Sequence, residues 1–338
     1  MKKVLVTGIS GFVGQHCATE LLKHGYAVRG SLRNLSKKDE VINGIKKEID
    51  PQGNLEFCEL DLLKDIGWDN AMQGCDFVLH VASPFVVKVP KDENELIKPA
   101  VEGTLRALKA AKKVGVKRVV LTSSIVAMFG GQEGMIRINK NSWTDVNGKN
   151  VTAYMKSKAL AEKAAWDFVN SQTGNDKLEL VAINPGPIYG PTLTGNLDGE
   201  AMAFFKKMIM GQVPMMPQAS CVMSDVRDVA KIHVLAVENT KAAGKRFIVT
   251  TEKAYPIQEI GKILKANGYK KVSTRLAPNF LVKMMANFND EMKGMLPFVA
   301  NTIEADVSDT MSTFSWKPIS FEKTVLDTAR SVEQAMKK

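Results

Sequence analysis

Short apolar runs alternate with amphipathic segments through the first half of the chain. Runs rich in Val, Leu and Ile are typical of strands buried on both faces of a sheet, whereas apolar residues three or four positions apart are typical of helices. The predicted strands are residues 3–7, 27–32, 55–60, 77–82, 118–122 and 178–184, and the predicted helices include 12–24, 95–114 and 153–171. This alternation predicts an α/β fold with helices on both faces of a doubly wound parallel sheet.

The pattern changes after residue 184, where prolines and glycines interrupt the chain as far as residue 191. Such residues mark turns. A methionine-rich stretch follows, and its methionines either fill a core or line an adaptable apolar pocket. A last predicted strand, 246–250, rejoins the sheet. We therefore predict a larger domain made of residues 1–185, 223–250 and part of 316–338, and a smaller, discontinuous domain made of 186–222 and 251–315.

A glycine-rich loop, residues 7–14, connects the first predicted strand to the first predicted helix. In dinucleotide sites, three glycines at this place allow a tight turn, a close approach of the backbone to the pyrophosphate, and packing of the helix on the strand. The N-terminus of the helix adds N–H donors and the positive end of its dipole. The larger domain is therefore predicted to be a Rossmann domain. The candidate cofactor contacts in the loop are Thr7, Gly8, Gly11, Phe12, Val13 and Gly14.

The residues after the second predicted strand discriminate between the two nicotinamide cofactors. Enzymes that select NAD carry an acidic residue there, which binds the ribose 2′-hydroxyl. In this chain no acidic residue occurs between the start of the second strand, residue 27, and Asp39, and Arg33 lies just beyond the strand. A guanidinium can bind a 2′-phosphate through two hydrogen bonds, and Lys37 and Lys38 add positive charge. The sequence favours NADPH; the alternative is that Arg33 is simply an exposed loop residue.

Tyr154 and Lys158 lie four residues apart on the predicted helix 153–171 and so share one face. An ammonium beside a phenol favours the phenolate, so we expect the pKa of Tyr154 to fall from about 10 toward neutrality. Such a tyrosine could donate or accept a proton in catalysis. The alternative is a chance pairing in a lysine-rich chain.

Thr122, Ser123 and Ser124 lie at the carboxyl end of the fifth predicted strand. A doubly wound sheet places its site at that edge. A hydroxyl there could donate a hydrogen bond to a substrate carbonyl as negative charge develops on its oxygen. The alternative is an ordinary Ser/Thr turn at the end of a strand.

Composition limits the partners that the chain could have. The net charge of +10 suggests ligands with phosphate or carboxylate groups, but the basic pairs are dispersed and no nucleic-acid motif is visible. No apolar run reaches the roughly 20 residues that cross a bilayer. We predict a cytoplasmic protein that binds neither nucleic acid nor membrane nor metal. Its four cysteines, which lack metal-binding spacing, are predicted to be reduced thiols: Cys17, Cys58, Cys75 and Cys221.

Taken together, these motifs resemble those of the extended short-chain dehydrogenase/reductase family over essentially the whole chain. The segments that carry the resemblance are 7–14, 61–62, 80–84, 122–124, 154–158, 184–187, 224–230 and 316–318. The chain is most similar to the branch of dihydroflavonol reductases, cinnamoyl-CoA reductases and microbial NADPH-dependent aldehyde or ketone reductases. Phe129 and the segment 151–158 depart from the patterns of the plant enzymes, which favours a microbial type.

The resemblance implies a role for each matching residue. Ser124, rather than Ser123, would polarise the substrate carbonyl, and Tyr154 would donate the proton. Lys158 would bind the nicotinamide ribose and tune Tyr154. The implied cofactor contacts are Arg33 at the 2′-phosphate, Asp61 and Leu62 at the adenine, Ala82 and Ser83 at the central part, and Tyr154, Lys158 and Pro185 at the nicotinamide end. The implied reaction is reduction of a small-molecule aldehyde or ketone by a monomer or homodimer.

Two other functions stay open at this point. A NAD-dependent nucleotide-sugar epimerase or dehydratase, or a 3β-hydroxysteroid dehydrogenase, would share the fold, but such enzymes usually carry the acidic residue that is missing after the second strand. A dinucleotide-sensing regulator would share it too, although such relatives commonly lose the Tyr–Lys pair. The substrate is expected to contact loops at 85–91 and 128–141 and the smaller domain.

Overall fold

The computed structural model describes residues 1–83, 92–286, 288 and 290–337. The strands in these residues are β1 (Lys3–Thr7), β2 (Ala27–Leu32), β3 (Leu55–Glu59), β4 (Phe77–His80), β5 (Arg118–Thr122), β6 (Met135–Ile138), β7 (Glu179–Pro185), β8 (Ile188–Tyr189), β9 (Ser220–Cys221), β10 (Ser224–Asp225), β11 (Lys245–Val249), β12 (Tyr255–Pro256) and β13 (Thr302–Ala305).

The helices of the same residues are α1 (Phe12–Lys23), α2 (Lys38–Lys46), α3 (Trp68–Met72), α4 (Asn94–Lys113), α5 (Val126–Phe129), α6 (Ala153–Asn170), α7 (Glu200–Ile209), α8 (Val226–Glu238), α9 (Ile257–Ala266), α10 (Asn279–Met285), α11 (Asp290–Met295), α12 (Ser308–Phe314) and α13 (Phe321–Met336). Short 3-10 turns occur at Leu35–Lys37 and Thr240–Ala242. Within the described part of the chain, no helix has both the length and the apolar character that a membrane span requires.

Seven parallel strands form the main sheet, in the order β11-β7-β5-β4-β1-β2-β3. β1 pairs with β2 on one side and with β4 on the other, so the strand order reverses beside β1. Val4, Leu5 and Val6 of β1 are fully buried, as expected for a central strand covered on both faces. The predicted doubly wound fold is confirmed. Open α/β sheets bind ligands at the carboxyl ends of the strands beside such a reversal.

Most boundaries of the main sheet follow the apolar runs closely. β1, β2 and β5 match the predicted ranges, and β3 ends one residue before its predicted end. β7 and β11 keep their predicted lengths but are each shifted by one residue. β4 ends at His80, two residues before the predicted end. The reason is that the N–H of Ala82 donates to the side-chain oxygen of Thr7, at 3.0 Å, instead of joining the ladder.

A separate four-stranded sheet has the order β12-β9-β13-β6. Its strands span only two to four residues each, too few to show a period-two pattern in the sequence. β13 and β6 pair in parallel although more than a hundred residues separate them in the chain. This sheet depends on tertiary contacts and was not among the predicted elements.

Helices α7, α9 and α13 share a cluster of buried apolar residues. Four methionines of the methionine-rich stretch are buried in it, which makes them core residues: Met202, Met208, Met216 and Met223. Met210 and Met215 are exposed. The division into a Rossmann domain and a substrate domain at the stated boundaries stays a prediction.

Two segments that carried the family resemblance hold the C-terminal part of the chain in place. Asp228 accepts hydrogen bonds from the indole N–H of Trp316 at 2.9 Å and from the backbone N–H of Ile319 at 2.7 Å. Asp225 caps α8 and accepts a hydrogen bond from the hydroxyl of Thr324 at 2.8 Å. The segments 224–230 and 316–318 are therefore structural partners of each other.

Candidate active site

The loop between β1 and α1 lies where the strand order reverses, and glycines shape it. Gly8 has φ of +67°, in the left-handed region that favours glycine. A Cβ on Gly14 would lie 2.4 Å from the carbonyl oxygen of Gly8 and 3.0 Å from the Cα of Ile9. The third glycine therefore lets α1 pack directly against the loop, as its position in the motif predicts.

The start of α1 leaves room for an anion. Gly11 is the N-cap and has no side chain to occupy the first turn, and the first helical hydrogen bond joins the N–H of Gln15 to its carbonyl at 3.0 Å. The amides of Phe12, Val13 and Gly14 precede that bond, so they belong to the helix end that ordinarily binds phosphate. The loop therefore fits the pyrophosphate of a dinucleotide.

Gly14→Ala should weaken dinucleotide binding, because the added methyl group would collide with the Gly8 carbonyl and displace the loop. We expect the Kd for NADPH, measured by fluorescence titration, to rise by about tenfold or more, which is about 1.4 kcal/mol. Gly199→Ala is the matched control, since Gly199 is an N-cap with φ of −69° and no heavy atom within 4 Å of an added Cβ. Unchanged NADPH affinity in Gly14→Ala would contradict this role of the loop.

The Thr7 hydroxyl ties the end of β1 to the end of β4. It accepts a hydrogen bond from the N–H of Ala82 at 3.0 Å and forms a second hydrogen bond with Nδ1 of His80 at 3.0 Å. Burial, together with the nearby Lys158, lowers the pKa of His80 to about 3, so the imidazole is neutral. Thr7 and His80 thus fix the shape of the site, and a direct contact of Thr7 with the cofactor stays a prediction.

The basic segment after β2 lies beside the glycine loop. The N–H of Gly8 donates to the hydroxyl of Ser31 at 3.1 Å, which joins the loop to the last residues of β2. Arg33 and Lys37 follow and are exposed. Asn34 fixes the turn between them by accepting the N–H of residue 36 at 2.8 Å. A 2′-phosphate on a nucleotide in the loop would therefore face positive charge.

One cleft brings together predicted cofactor residues from separate parts of the chain. Its walls include Leu62 after β3, Ala82 and Ser83 after β4, and Lys158 on α6. Asp61 lies next to Leu62 and is half-buried, and its carboxylate accepts the backbone N–H of residue 63 at 3.0 Å. The cleft extends from Leu62, predicted to lie beside the adenine, to the carboxyl end of β5.

Ser124, Tyr154 and Lys158 meet at the carboxyl end of β5. Thr152 caps α6 by accepting the N–H of Met155 at 3.3 Å, so Tyr154 lies in the first turn of the helix. The Ser124 hydroxyl lies near enough to the Tyr154 hydroxyl to lower the pKa of that phenol. The Lys158 ammonium donates to the carbonyl of the last residue of β5 at 3.4 Å. The structure therefore brings the three predicted catalytic residues together.

The two neighbouring serines have different partners. Ser123 donates its hydroxyl hydrogen to Glu162 at 2.5 Å. Ser124 faces Tyr154, and its hydroxyl also lies 3.4 Å from the carbonyl oxygen of Pro185, the buried residue predicted beside the nicotinamide. This geometry favours Ser124 as the residue that polarises the carbonyl.

The expected lowering of the Tyr154 pKa is wrong. Burial raises the pKa of Tyr154 to about 12, and the Glu200 carboxylate contributes to the rise, while the hydrogen bond from Ser124 opposes it. Burial also lowers the pKa of Lys158 to about 8, against the opposing effect of Glu162. Burial disfavours the charged form of each group and is the largest influence on both pKa values. The phenol is therefore protonated at neutral pH, as a proton donor must be.

A buried carboxylate beneath the site was not among the residues predicted from the sequence. Glu162 pairs with Arg246, with 2.6 Å between the guanidinium Nε and the carboxylate, and Asn184 donates to the same carboxylate at 2.8 Å. Glu162 lies four residues after Lys158 and eight after Tyr154, so the helical spacing that paired those two residues could have revealed it.

The predicted substrate loops are placed only in part. Residues 85–91 and Pro84 lie outside the described residues. In the loop at 128–141, Phe129 is buried and packs edge-on against Phe298 with 5.6 Å between ring centroids, and residues 135–138 form β6. Phe129 is therefore a core residue.

Comparisons with known proteins agree with this geometry. A model of the NAD dependent epimerase/dehydratase family matches residues 4–250. Cinnamoyl-CoA reductase CAD2 of Medicago truncatula is 35% identical over 268 residues, which cover 78% of this chain and 79% of that protein. NADPH-dependent methylglyoxal reductase GRE2 of Saccharomyces cerevisiae is 33% identical over 281 residues, which cover 77% of this chain and 81% of that protein.

The fold also matches solved structures over its whole length. The crystal structure of yeast methylglyoxal/isovaleraldehyde reductase Gre2 complexed with NADPH has a TM-score of 0.81 and 27% identity, and the match covers 99% of each chain. The resemblance to this branch of reductases, predicted from the motifs, is confirmed.

Proposed function

This chain belongs to the NAD dependent epimerase/dehydratase family, and we propose that it is an oxidoreductase that reduces an aldehyde or ketone to the alcohol with NADPH. The main observation is that Ser124, Tyr154 and Lys158 meet at the carboxyl end of β5, with Lys158 one helical turn from Tyr154 and the glycine loop at the end of β1 in the same sheet. Relatives named as reductases, and a similar fold solved with NADPH, support the same chemistry.

The glycine loop and the open first turn of α1 fit the pyrophosphate of NADPH, which when bound would supply the hydride. The glycine loop and the first turn of α1 would hold its pyrophosphate. We assign the other contacts as follows: Arg33 and Lys37 to the 2′-phosphate, Asp61 and Leu62 to the adenine, Ala82 and Ser83 to the central part, Lys158 to the nicotinamide ribose and Pro185 to the nicotinamide.

The chain's own residues would manage the oxygen and the proton. The hydroxyls of Ser124 and Tyr154 would donate hydrogen bonds to the substrate oxygen, where negative charge develops. Tyr154 would then transfer its proton to that oxygen, which yields the alcohol and a phenolate. With a pKa of about 8, Lys158 carries a positive charge at neutral pH and would stabilise this phenolate.

Turnover of a carbonyl panel tests the proposal. The first substrates are methylglyoxal and isovaleraldehyde, after which the yeast relatives are named, and cinnamoyl-CoA, after which the plant relative is named. We expect NADPH-dependent reduction of at least one small aldehyde or ketone, followed by loss of NADPH absorbance, with kcat/KM at least about tenfold higher than with NADH.

Each alternative predicts a different result in that assay. Tightly held NAD in the purified protein, with interconversion of nucleotide sugars, would indicate an epimerase or dehydratase. NADPH binding without turnover of any carbonyl would indicate a dinucleotide sensor. Either result would overturn the proposed reductase function.

The location and oligomeric state remain parts of the same proposal. The four cysteines are free thiols, and Cys17, Cys75 and Cys221 are buried. Free thiols are typical of a reducing compartment, which supports a cytoplasmic location. We propose a monomer or homodimer without nucleic-acid or membrane partners.

A further inference from the structure

Glu162 lies on α6 on the same face as the two catalytic residues of that helix and is fully buried. Lys158 precedes it by one turn and Tyr154 by two. Its carboxylate accepts hydrogen bonds from the Ser123 hydroxyl at 2.5 Å, Asn184 Nδ2 at 2.8 Å, Trp166 Nε1 at 3.1 Å and Arg246 Nε at 2.6 Å. Four side-chain donors therefore hold this buried carboxylate in position.

Arg246 holds Glu162 from the side remote from the cleft. Its guanidinium also donates to the carbonyl oxygens of Lys140 at 2.9 Å and Ser142 at 2.7 Å, and it lies 3.9 Å from the centre of the Trp143 ring. These contacts anchor the ion pair to a neighbouring loop. The Glu162 carboxylate is therefore fixed to a neighbouring loop through Arg246.

Two hydrogen bonds connect Glu162 to the catalytic serine. Ser123 donates to the carboxylate directly, and Ser124 is the next residue in the chain. Asn184 Nδ2 donates both to Glu162 and, at 3.2 Å, to the backbone carbonyl of Ser124. The turn that aims the Ser124 hydroxyl at Tyr154 is thus fixed from two sides by one carboxylate.

The Glu162 carboxylate also raises the pKa of Lys158. Lys158 lies against the Thr122 carbonyl of β5 and against His80 of β4, which is neutral, and α4 contributes Pro99, Ala100, Gly103 and Thr104 to the cleft. Tyr154 is uncharged at neutral pH, and Arg246 of β11 is paired beyond the carboxylate. Of these groups, Glu162 is the one that favours the ammonium.

We propose that Glu162 is a positioning residue that holds Ser124 in contact with Tyr154 and keeps Lys158 charged at the pH of the reaction. This inference rests on the proposed reductase function. Glu162 touches neither substrate nor cofactor in this role and acts through Ser123, Asn184 and Lys158.

Glu162→Gln keeps the size of the side chain and removes its charge. We expect kcat to fall by about 10- to 100-fold, because small displacements of catalytic groups cost that much, with a smaller change in KM. Without the carboxylate, Lys158 loses its proton at lower pH, so the alkaline limb of the kcat profile should move toward neutral pH. Glu162→Asp restores the charge and should return that limb toward its original position. The proposal would be overturned if kcat of Glu162→Gln stayed within twofold of the wild-type value and the alkaline limb of its pH profile did not move.

Two milder variants decide the question if Glu162→Gln does not fold. Ser123→Ala removes the hydrogen bond on the active-site side of Glu162, and Trp166→Phe removes the one on the other side. We expect Ser123→Ala to lower kcat several-fold more than Trp166→Phe, with neither moving the alkaline limb. Equal effects of the two variants on kcat would contradict positioning.

Failure of the reductase function is separable from failure of this inference. The wild-type protein is assayed first on the carbonyl panel, and that result alone tests the function. The pH dependence of NADPH binding is then compared between the wild-type protein and Glu162→Gln, which requires no turnover. As the pH is raised, NADPH binding should begin to weaken at a lower pH in Glu162→Gln than in the wild-type protein. That result would support the role of Glu162 toward Lys158 even without a known substrate, and identical pH profiles would rule it out.

Discussion

Tyr154→Phe is expected to lower kcat by about 100- to 10,000-fold, the range that general acid catalysis contributes. The substitution removes one oxygen and leaves the ring that packs in the first turn of α6. Because burial raises the pKa of Tyr154 to about 12, the phenol is the protonated donor across the neutral pH range. The Kd for NADPH, measured by fluorescence titration, should change by less than about twofold.

Tyr26→Phe is the matched control for this prediction. The Tyr26 hydroxyl bonds to Glu238 at 2.9 Å, and Tyr26 directly precedes β2, at the amino ends of the strands and away from the site. Its kcat should equal that of the wild-type protein. Wild-type turnover in Tyr154→Phe would remove the tyrosine from the reaction.

Arg33→Ala should raise the Kd for NADPH by about 10- to 100-fold and leave the Kd for NADH nearly unchanged. A charge-assisted hydrogen bond contributes roughly 1.5–3 kcal/mol, and only NADPH carries the 2′-phosphate that would accept it. The effect should shrink as salt is added, because Arg33 is exposed and its charge is screened. Titration of both nucleotides at two salt concentrations measures each part of the prediction.

Arg137→Ala controls for the loss of a surface charge. Arg137 is exposed and pairs with Glu304 at 3.2 Å between β6 and β13. This variant should bind both nucleotides like the wild-type protein. If the wild-type protein binds NADH as tightly as NADPH, Arg33 is only a surface residue, and the family's NAD-dependent reactions become the next ones to test.

The main sheet follows directly from local sequence pattern. Continuous apolar runs specify strands buried on both faces, and a strand, a glycine turn and a helix within the first 23 residues specify the site for a dinucleotide. α6 begins at Ala153 as predicted, because Thr152 caps it, and it places Tyr154 and Lys158 on one face. These features depend on neighbours in the sequence, so the sequence alone predicts them.

The remaining features depend on residues that are distant in the chain. The strands of the small sheet span too few residues to show a period and exist because β13 and β9 pair across the fold. The local sequence pattern does not distinguish Ser123 from Ser124. In the structure the Ser123 hydroxyl bonds to Glu162 of α6, which leaves Ser124 to face Tyr154.

The sequence by itself determined the doubly wound fold, the glycine loop, the basic segment after β2 and the Ser, Tyr and Lys that meet at the site. Only the tertiary structure decided their chemistry. Spacing alone suggested that Lys158 lowers the pKa of Tyr154, but burial raises it, and no local pattern reports burial. The pairing of Glu162 with Arg246 spans 84 residues, and the packing of α6 against the sheet brings the two together. Local pattern sets which groups are present, whereas desolvation and long-range hydrogen bonds set their protonation and direction.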